Sequence, residues 1–308
     1  MDTSLLHAPP LLPHLIIDGL NRYDDKPCLL LGDTIASYRD VRECTSQFVQ
    51  ALQSKAIGVG SRVAVISGNR PDVLFNLGAM QIAGCCGTTL HPLGSADDHV
   101  YVCDTAEIEV LVYDASLFED RAREIKERVP SIKHLLGFGA TEAGEDYSAL
   151  AATFSPQTLV APDVRPDDVS SILFTGGTTG KPKGILQTYR AAAYMTMIQM
   201  AEWEWPASPR VLCCTPLSHS GAALFLPTLL KQGNMLVLPG FDVAAVLSTI
   251  ETYRINCMML VPTMIYAILD HPDLDRYDLS SLETIFYGAS SISPPRLKEA
   301  IERIGPVF

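Results

Sequence analysis

The sequence is poor in basic residues and has no long run of apolar residues. Its 308 residues include 23 Lys and Arg against 35 Asp and Glu, which gives a formal net charge of −12. This acidic balance argues against a general affinity for nucleic acid or for anionic membranes. The apolar runs are far shorter than the roughly 18 residues that a spanning helix needs, so any membrane contact is expected to be peripheral. The first 20 residues contain no Lys or Arg. A secretory signal peptide is therefore not predicted, and a cytoplasmic location is expected.

The cysteines also lack the spacing that metal and redox motifs use. No C-x-x-C pair occurs, and the two adjacent pairs cannot easily bridge to each other. The sequence therefore predicts reduced cysteines in the core and no zinc site. The eight cysteines are at positions 28, 44, 85, 86, 103, 213, 214 and 257.

Apolar runs alternate with amphipathic segments along most of the chain, and 47% of the residues are hydrophobic, enough for a sizeable core. This alternation is typical of βα units and parallel sheets. Ser37 with Asp40 is predicted to form a capping box, and Asn69 to cap the next helix. The segment 141–168 has no clear period and is predicted to be a long connection. Strands are predicted at 62–67, 86–90, 109–113, 134–137, 170–174, 211–214, 234–238, 258–261 and 284–287, and helices at 37–54, 71–83, 191–203, 242–253 and 294–304.

The most informative stretch packs four glycines, three threonines and two lysines into eleven residues after an apolar β-compatible run. It reads Phe174-Thr175-Gly176-Gly177-Thr178-Thr179-Gly180-Lys181-Pro182-Lys183-Gly184. Glycines let successive backbone N–H groups point into one concavity, hydroxyls add donors and a lysine adds a cation, so the stretch predicts a polyphosphate site. It is not a Walker A loop, because proline follows Gly180-Lys181. The alternative is a flexible surface loop.

Two further segments could carry chemistry. His219 lies in 215–221, just after a predicted strand, where open α/β sheets place ligands; the alternative is an ordinary core or surface histidine. The small residues at 288–290 follow another strand and permit a flat base to approach the main chain closely; the alternative is a strand-to-helix turn capped by Ser293. Ile292 stands where a hydrolase elbow needs glycine. Six residues could line an acyl tunnel or belong to plain core: Trp203, Trp205, Met258, Met259, Val261 and Thr263.

The glycine-rich stretch resembles the Tyr/Phe-Thr-Ser-Gly-Thr-Thr-Gly-x-Pro-Lys-Gly signature of adenylate-forming enzymes, which include acyl-CoA and aryl-CoA synthetases, luciferases and peptide-synthetase adenylation domains. Gly176 replaces the usual serine and removes one hydroxyl donor. The likeness extends over essentially the whole chain, through 62–66, 69–71, 83–84, 91–92, 215–221 and 287–294. In 215–221 the glycine after the histidine comes earlier than in the family.

This resemblance implies roles for the matching residues. Thr175, Gly176, Gly177, Thr178, Thr179 and Gly180 would cradle the β- and γ-phosphates, with Lys183 as their cation. His219 would lie beside the substrate carboxylate, and Gly288, Ala289 and Ser290 at the adenine. Amino-acid-activating relatives carry an acidic residue near His219. None occurs at 218–220, so the expected substrate is an acid without an α-ammonium group.

The resemblance further implies an α/β fold of two stacked, doubly wound subdomains, one at roughly 55–200 and the other formed by roughly 10–50 with 205–308. The expected reaction is ATP-dependent activation of a carboxylic acid, with a fatty acid as the favoured substrate, followed by thioester formation with CoA, with Mg²⁺ as the metal. A non-catalytic nucleotide- or acyl-binding protein, an aryl-acid-adenylating enzyme and an unrelated phosphotransferase stay open as alternatives, as does a homodimer.

The family's next element, Tyr-Gly-x-Thr-Glu, would follow residues 304–308. The chain is therefore expected to be an incomplete N-terminal AMP-binding domain, 1–308, without the β-barrel part and the C-terminal domain. It is expected to bind ligands without turnover, with the magnesium ligands beyond residue 308. An exposed apolar edge is expected where further strands would pair.

Overall fold

The computed structural model describes residues 9–32, 34–175 and 182–308. The strands are β1 (Pro27–Leu31), β2 (Thr34–Ser37), β3 (Arg62–Ile66), β4 (Cys86–Thr89), β5 (Val110–Asp114), β6 (His134–Phe138), β7 (Glu145–Asp146), β8 (Val169–Thr175), β9 (Lys183–Thr188), β10 (Arg210–Cys213), β11 (Asn234–Val237), β12 (Cys257–Leu260) and β13 (Thr284–Tyr287). The helices are α1 (Leu12–Leu20), α2 (Tyr38–Ser54), α3 (Pro71–Ile82), α4 (Ala96–Thr105), α5 (Ala115–Arg128), α6 (Tyr147–Ala152), α7 (Tyr189–Glu202), α8 (Ser220–Ala223), α9 (Phe225–Leu230), α10 (Val243–Tyr253), α11 (Pro262–Leu269) and α12 (Pro294–Arg303).

The strands form two sheets, as expected for the α/β class. The first sheet has the order β7-β6-β5-β3-β4-β8-β9, and the second has the order β13-β12-β10-β11-β1-β2. Most neighbours run parallel and are joined by helical crossovers, whereas β8 with β9 and β1 with β2 form antiparallel edges. The N-terminal hairpin thus joins a sheet whose other strands come from residues 210–287.

The buried residues form three clusters, and the two faces of each sheet pack into different clusters. Val63 of β3 and Val211 of β10 belong to one inner cluster, which the two sheets share with α2 and α3. Their chain neighbours Ala64 and Leu212 belong to different outer clusters, one with α4 and α5 and the other with α10 and α11. Successive strand residues point to opposite faces, so these near-continuous apolar strands are buried on both sides.

The predicted elements agree with the structure except at three places. The segment 141–168 is not only a connection, since it contains β7 and α6. Asn69 does not cap α3; the cap position is Arg70, which makes no capping side-chain bond within the described residues. Ser293 does occupy the cap position of α12 but likewise makes no capping side-chain bond there. The capping box at Ser37 and Asp40 is confirmed, with Asp40 N donating to Ser37 Oγ at 3.1 Å and Ser37 N to Asp40 Oδ2 at 2.7 Å.

The β9 edge of the first sheet exposes apolar side chains. Ile185 and Leu186 of β9 are more than half exposed, as is Ile198 of α7. The buried side of α7 consists of Tyr189, Ala192, Ala193, Thr196 and Gln199. The three exposed apolar side chains thus lie on the solvent side of this edge. No helix in the described ranges is both long and apolar enough to cross a membrane.

Candidate active site

A cavity of about 260 Å³ lies where the carboxyl ends of strands from both sheets come together. Three strands of the first sheet contribute to it: Thr89 ends β4, Phe174 and Thr175 end β8, and Pro182 precedes β9. His219 reaches the same cavity from the segment after β10, in the second sheet. Crevices outside the carboxyl ends of parallel strands are the usual ligand sites of open α/β sheets.

The glycine-rich stretch is the connection between β8 and β9. Thr175 is paired with Lys183 across this antiparallel edge, so the two predicted residues lie opposite each other at the mouth of the connection. The Lys183 side chain is exposed and does not line the cavity. No acidic partner for it occurs among the described residues, which leaves its ammonium group open to an anion. The predicted residues Gly176, Gly177, Thr178, Thr179 and Gly180 fall in 176–181, outside the described residues.

The turn at 215–221 fixes the direction of His219. The amides of His219 and Gly221 both donate to Pro216 O, at 3.0 and 3.1 Å. A Cβ on Gly221 would lie 2.6 Å from Thr215 O, so only glycine lets this turn close. Ser218 Oγ lies 2.9 Å from His219 Nδ1, and Thr89 Oγ1 donates to Ser218 O. The turn is therefore tied directly to β4 of the first sheet.

The electrostatics around His219 favour a neutral imidazole. Burial lowers the pKa of His219 below its ordinary value, and the nearby His91 lowers it further. The two rings are in edge-to-face contact, with centroids 4.9 Å apart. At neutral pH His219 can therefore offer a hydrogen bond without a full positive charge.

Asn69 is a residue that the sequence analysis assigned wrongly and that proves to connect the sheets. From the end of β3 its Nδ2 donates to Thr215 O and Leu238 O, both at 3.0 Å, and its Oδ1 accepts from Leu217 N at 2.9 Å. These bonds join the first sheet to the loops after β10 and β11 and hold the turn that carries His219. The one sequence signal was an Asn three residues after the end of a buried strand and just before a helix, which also fits a helix cap.

The turn at 288–290, predicted to contact adenine, lies outside the cavity of His219. Gly288 lines a second cavity of about 530 Å³ along the β13 edge, and no lining residue is shared with the first cavity. The space in front of Gly288 is open, since a Cβ there would meet nothing within 4 Å. Ala289 has a φ of 68°, a conformation rare for non-glycine residues. Ser290, beside it, is exposed.

The wall of this second cavity is largely aromatic and apolar. Trp203 packs on Phe286 with ring centroids 4.7 Å apart, and Met259 and Phe308 also line the cavity. Of the six candidate tunnel residues, Trp203 and Met259 are thus in a cavity wall. Met258 is fully buried in the outer cluster of the second sheet and is plain core.

The described residues do not assemble a metal site. No group of three or more His, Cys, Asp or Glu side chains among them could hold a metal ion. The eight cysteines carry no metal cluster in that part of the chain, and seven of them are buried. No residue among those described is therefore assigned as a ligand of Mg²⁺.

Residues 18–308 match the sequence pattern of the AMP-binding enzyme family. The chain belongs to this family. Among curated AMP-binding relatives, it is similar to the medium/long-chain-fatty-acid–CoA ligase FadD8 of Mycobacterium tuberculosis, with 50% identity over 311 residues that cover 99% of this chain and 54% of that protein. The chain spans about half the length of the curated relatives it matches.

Solved structures of an amide bond synthetase and of a CoA ligase share the fold. The amide bond synthetase McbA of Marinactinospora thermotolerans aligns with a TM-score of 0.84 and 28% identity, over 96% of this chain and 57% of McbA. The anthranilate CoA ligase AuaEII, in complex with anthranoyl-AMP, aligns with a TM-score of 0.89 over 99% of this chain and 60% of that one. Its 20% identity to this chain bears on the fold alone.

Proposed function

We propose that the protein containing this chain activates a carboxylic acid with ATP and transfers the acyl group to the thiol of CoA. The observation that carries this proposal is the cavity in which Thr175, at the end of the phosphate-type connection, lies with His219 from the other sheet. Membership of the AMP-binding family supports it. The phosphates and the carboxylate would meet between the two sheets.

The phosphates are assigned to the β8–β9 connection. Thr175 and Lys183 are paired where this connection begins and ends. The glycines between them would supply backbone N–H donors. Lys183 would act as a mobile cation on the leaving pyrophosphate. This arrangement stabilises charge that grows on phosphate oxygens without covalent participation by the protein.

His219 is assigned to the acid. A neutral Nε2–H donor orients a carboxylate and leaves most of its electron density available for attack, whereas an imidazolium would hold the carboxylate as an ion pair. The lowered pKa of His219 therefore suits a nucleophilic carboxylate. The chemistry is then an in-line displacement, in which positioning supplies most of the rate.

The bonds change in two steps. A carboxylate oxygen attacks the α-phosphorus, and pyrophosphate leaves with the electron pair of the broken P–O bond. The sulfur of CoA then attacks the carbonyl carbon of the acyl-adenylate, loses its proton, and AMP leaves. The second cavity, with Gly288 at one end and Trp203 in its wall, is assigned to adenine and to part of the acyl group.

The acid is proposed to be a fatty acid of medium or long chain. The apolar wall around Trp203, Met259 and Phe286 suits an alkyl chain. The 50% identical relative from Mycobacterium tuberculosis, a medium/long-chain-fatty-acid–CoA ligase, supports the same class. An aryl acid would pack against the same aromatic side chains and is the second candidate.

The test is a comparison of three ligands by calorimetry on the 308-residue chain. Dodecanoyl-sulfamoyl-adenosine imitates a fatty acyl-adenylate, benzoyl-sulfamoyl-adenosine imitates an aryl one, and adenosine 5′-sulfamate lacks the acyl group. We expect the dodecanoyl compound to bind most tightly. Equal affinity for all three would contradict an acyl site.

A separate assay of the products formed from ATP tests the phosphotransferase alternative. Formation of ADP, without pyrophosphate exchange, would favour a phosphotransferase.

A further inference from the structure

His91 contributes a second imidazole to the cavity of His219, although it lies outside the glycine-rich signature. The two rings meet edge to face at 4.9 Å, with an interplanar angle of 69°. Both rings line the same cavity as Thr175. His91 comes from the first sheet, two residues after the end of β4, whereas His219 comes from the second.

Hydrogen bonds from His99 and Arg121 fix the turn that carries His91. The buried His99 of α4 has its Nε2 2.8 Å from His91 O, and Arg121 of α5 donates to both His99 Nδ1 and Gly94 O, at 2.9 and 3.1 Å. A Cβ on Gly94 would lie 2.5 Å from His99 Nε2, so glycine is needed for this contact. A guanidinium group cannot accept a hydrogen bond, so His99 accepts at Nδ1 and donates from Nε2.

The tautomer of His91 follows from its own turn. Leu93 N donates to His91 Nδ1 at 3.1 Å, so Nδ1 carries no proton and the ring holds its proton on Nε2. In His219, Ser218 Oγ lies 2.9 Å from Nδ1 and can either donate to it or accept from it, so this contact occupies Nδ1 without fixing the tautomer. Nε2 is then the nitrogen of His219 that remains for a ligand among the described contacts.

We propose that His91 is a positioning residue for the adenylation step, which holds the His219 ring in one rotamer and in its Nε2–H form toward the substrate carboxylate. This inference rests on the proposed function of His219. His91 itself need not touch the substrate. Its contribution is the edge-to-face contact, which removes rotational freedom from His219 before the acid binds.

Other charged groups face this pair. Asp98 and His99 of α4 line the same cavity, and Arg121 stands behind His99. Burial lowers the pKa of His219, and His91 lowers it further. Loss of the His91 side chain would therefore raise the pKa of His219, because it removes both the nearby imidazole and part of the burial. A phenyl ring at position 91 would keep most of the burial and would raise the pKa of His219 less.

The first experiment measures the His219 ring directly, by long-range ¹H–¹⁵N correlation on the histidine-labelled 308-residue chain over a range of pH. Wild type is expected to show the Nε2–H tautomer at neutral pH. His91→Ala is expected to average the two tautomers and to raise the pKa of His219, whereas His91→Phe keeps the single tautomer. Unchanged His219 signals in His91→Ala would overturn the proposal.

The second experiment measures the affinity for dodecanoyl-sulfamoyl-adenosine. His91→Ala is expected to weaken binding about tenfold, the equivalent of one lost hydrogen bond, while the affinity for ATP changes little. His271→Ala is the matched control, because its Nδ1 accepts from Asp273 N in the same kind of turn outside the cavity. If wild type does not bind the compound, the proposed function fails, and the first experiment alone still decides the role of His91.

Discussion

Removal of the Asn69 side chain should weaken ligand binding as well as the fold. Asn69→Ala deletes three hydrogen bonds of 2.9–3.0 Å, two to carbonyls and one from the Leu217 amide. At about 1 kcal/mol net for each bond, the free energy of unfolding should fall by about 3 kcal/mol. Because the turn at 215–221 also loses its anchor, His219 should no longer be held toward the cavity, and the affinity for an acyl-adenylate mimic should fall about tenfold or more.

Asn256 offers a matched control at the opposite end of the second sheet. Its side chain also makes three hydrogen bonds, accepting from Arg210 N and donating to Ser208 O and Glu283 Oε1, at 2.7–3.1 Å. Asn256 lies at the amino ends of β10 and β12, away from the His219 cavity, although its partner Glu283 lines the second cavity. Asn256→Ala should therefore destabilise the chain to a similar extent and lower the affinity of the folded protein less than Asn69→Ala does, because the turn that carries His219 keeps its anchor.

The assay combines urea unfolding with calorimetric titration of dodecanoyl-sulfamoyl-adenosine under conditions where each variant is folded. Asn69→Asp adds a sharper comparison, since it keeps one acceptor but places a carboxylate against two carbonyl oxygens, and it should be worse than Asn69→Ala. A fall in stability without any loss of affinity in Asn69→Ala would refute the positioning argument. No change in either quantity would refute the contacts themselves.

Three further predictions concern single side chains. Lys183→Ala should weaken ATP binding by about 10- to 100-fold, the loss of a hydrogen bond to a charged group, with unchanged melting; equal affinity in a titration would exclude Lys183 from the phosphates. His219→Ala should weaken the acyl-sulfamoyl compound more than ATP, and the reverse order would contradict its place beside the carboxylate. Burial lowers the pKa of His99, so the unfolded chain binds more protons below the unfolded value of about 6.5, and stability should fall as pH falls through that value. His99→Gln should flatten this slope in urea unfolding between about pH 7.5 and 5; a slope equal to wild type would show that His99 does not carry it.

The parallel strands other than β1 and β7, and the helices α2, α3, α7, α10 and α12, were predictable because their signals are local. The apolar runs of β3 and β10 are buried on both faces, and such runs are recognisable as strands of a parallel sheet. The hairpin β1–β2 and strand β9 were not predicted. Four of the six residues of β9 are exposed, so β9 lacks the buried apolar pattern by which the parallel strands are recognised.

The site was predictable only in part. The glycine-rich stretch identified Thr175, and the segment 215–221 identified His219. The structure places both residues around one cavity, although 43 residues separate them in the sequence. Asn69 and His91 were not assigned to the site, because their roles depend on which loops the two sheets bring together. A side chain that bonds to backbone atoms far along the chain leaves no local pattern, and in Asn69 it resembled a helix cap.

The most direct test of the proposed site is a crystal structure of the 308-residue chain with dodecanoyl-sulfamoyl-adenosine. We expect the sulfamate group between Thr175 and His219 Nε2, within hydrogen-bond distance of the imidazole, and the adenine against the turn at Gly288. A ligand bound away from the Thr175–His219 cavity, or an acyl carbonyl and sulfamate that leave His219 without contact, would contradict it.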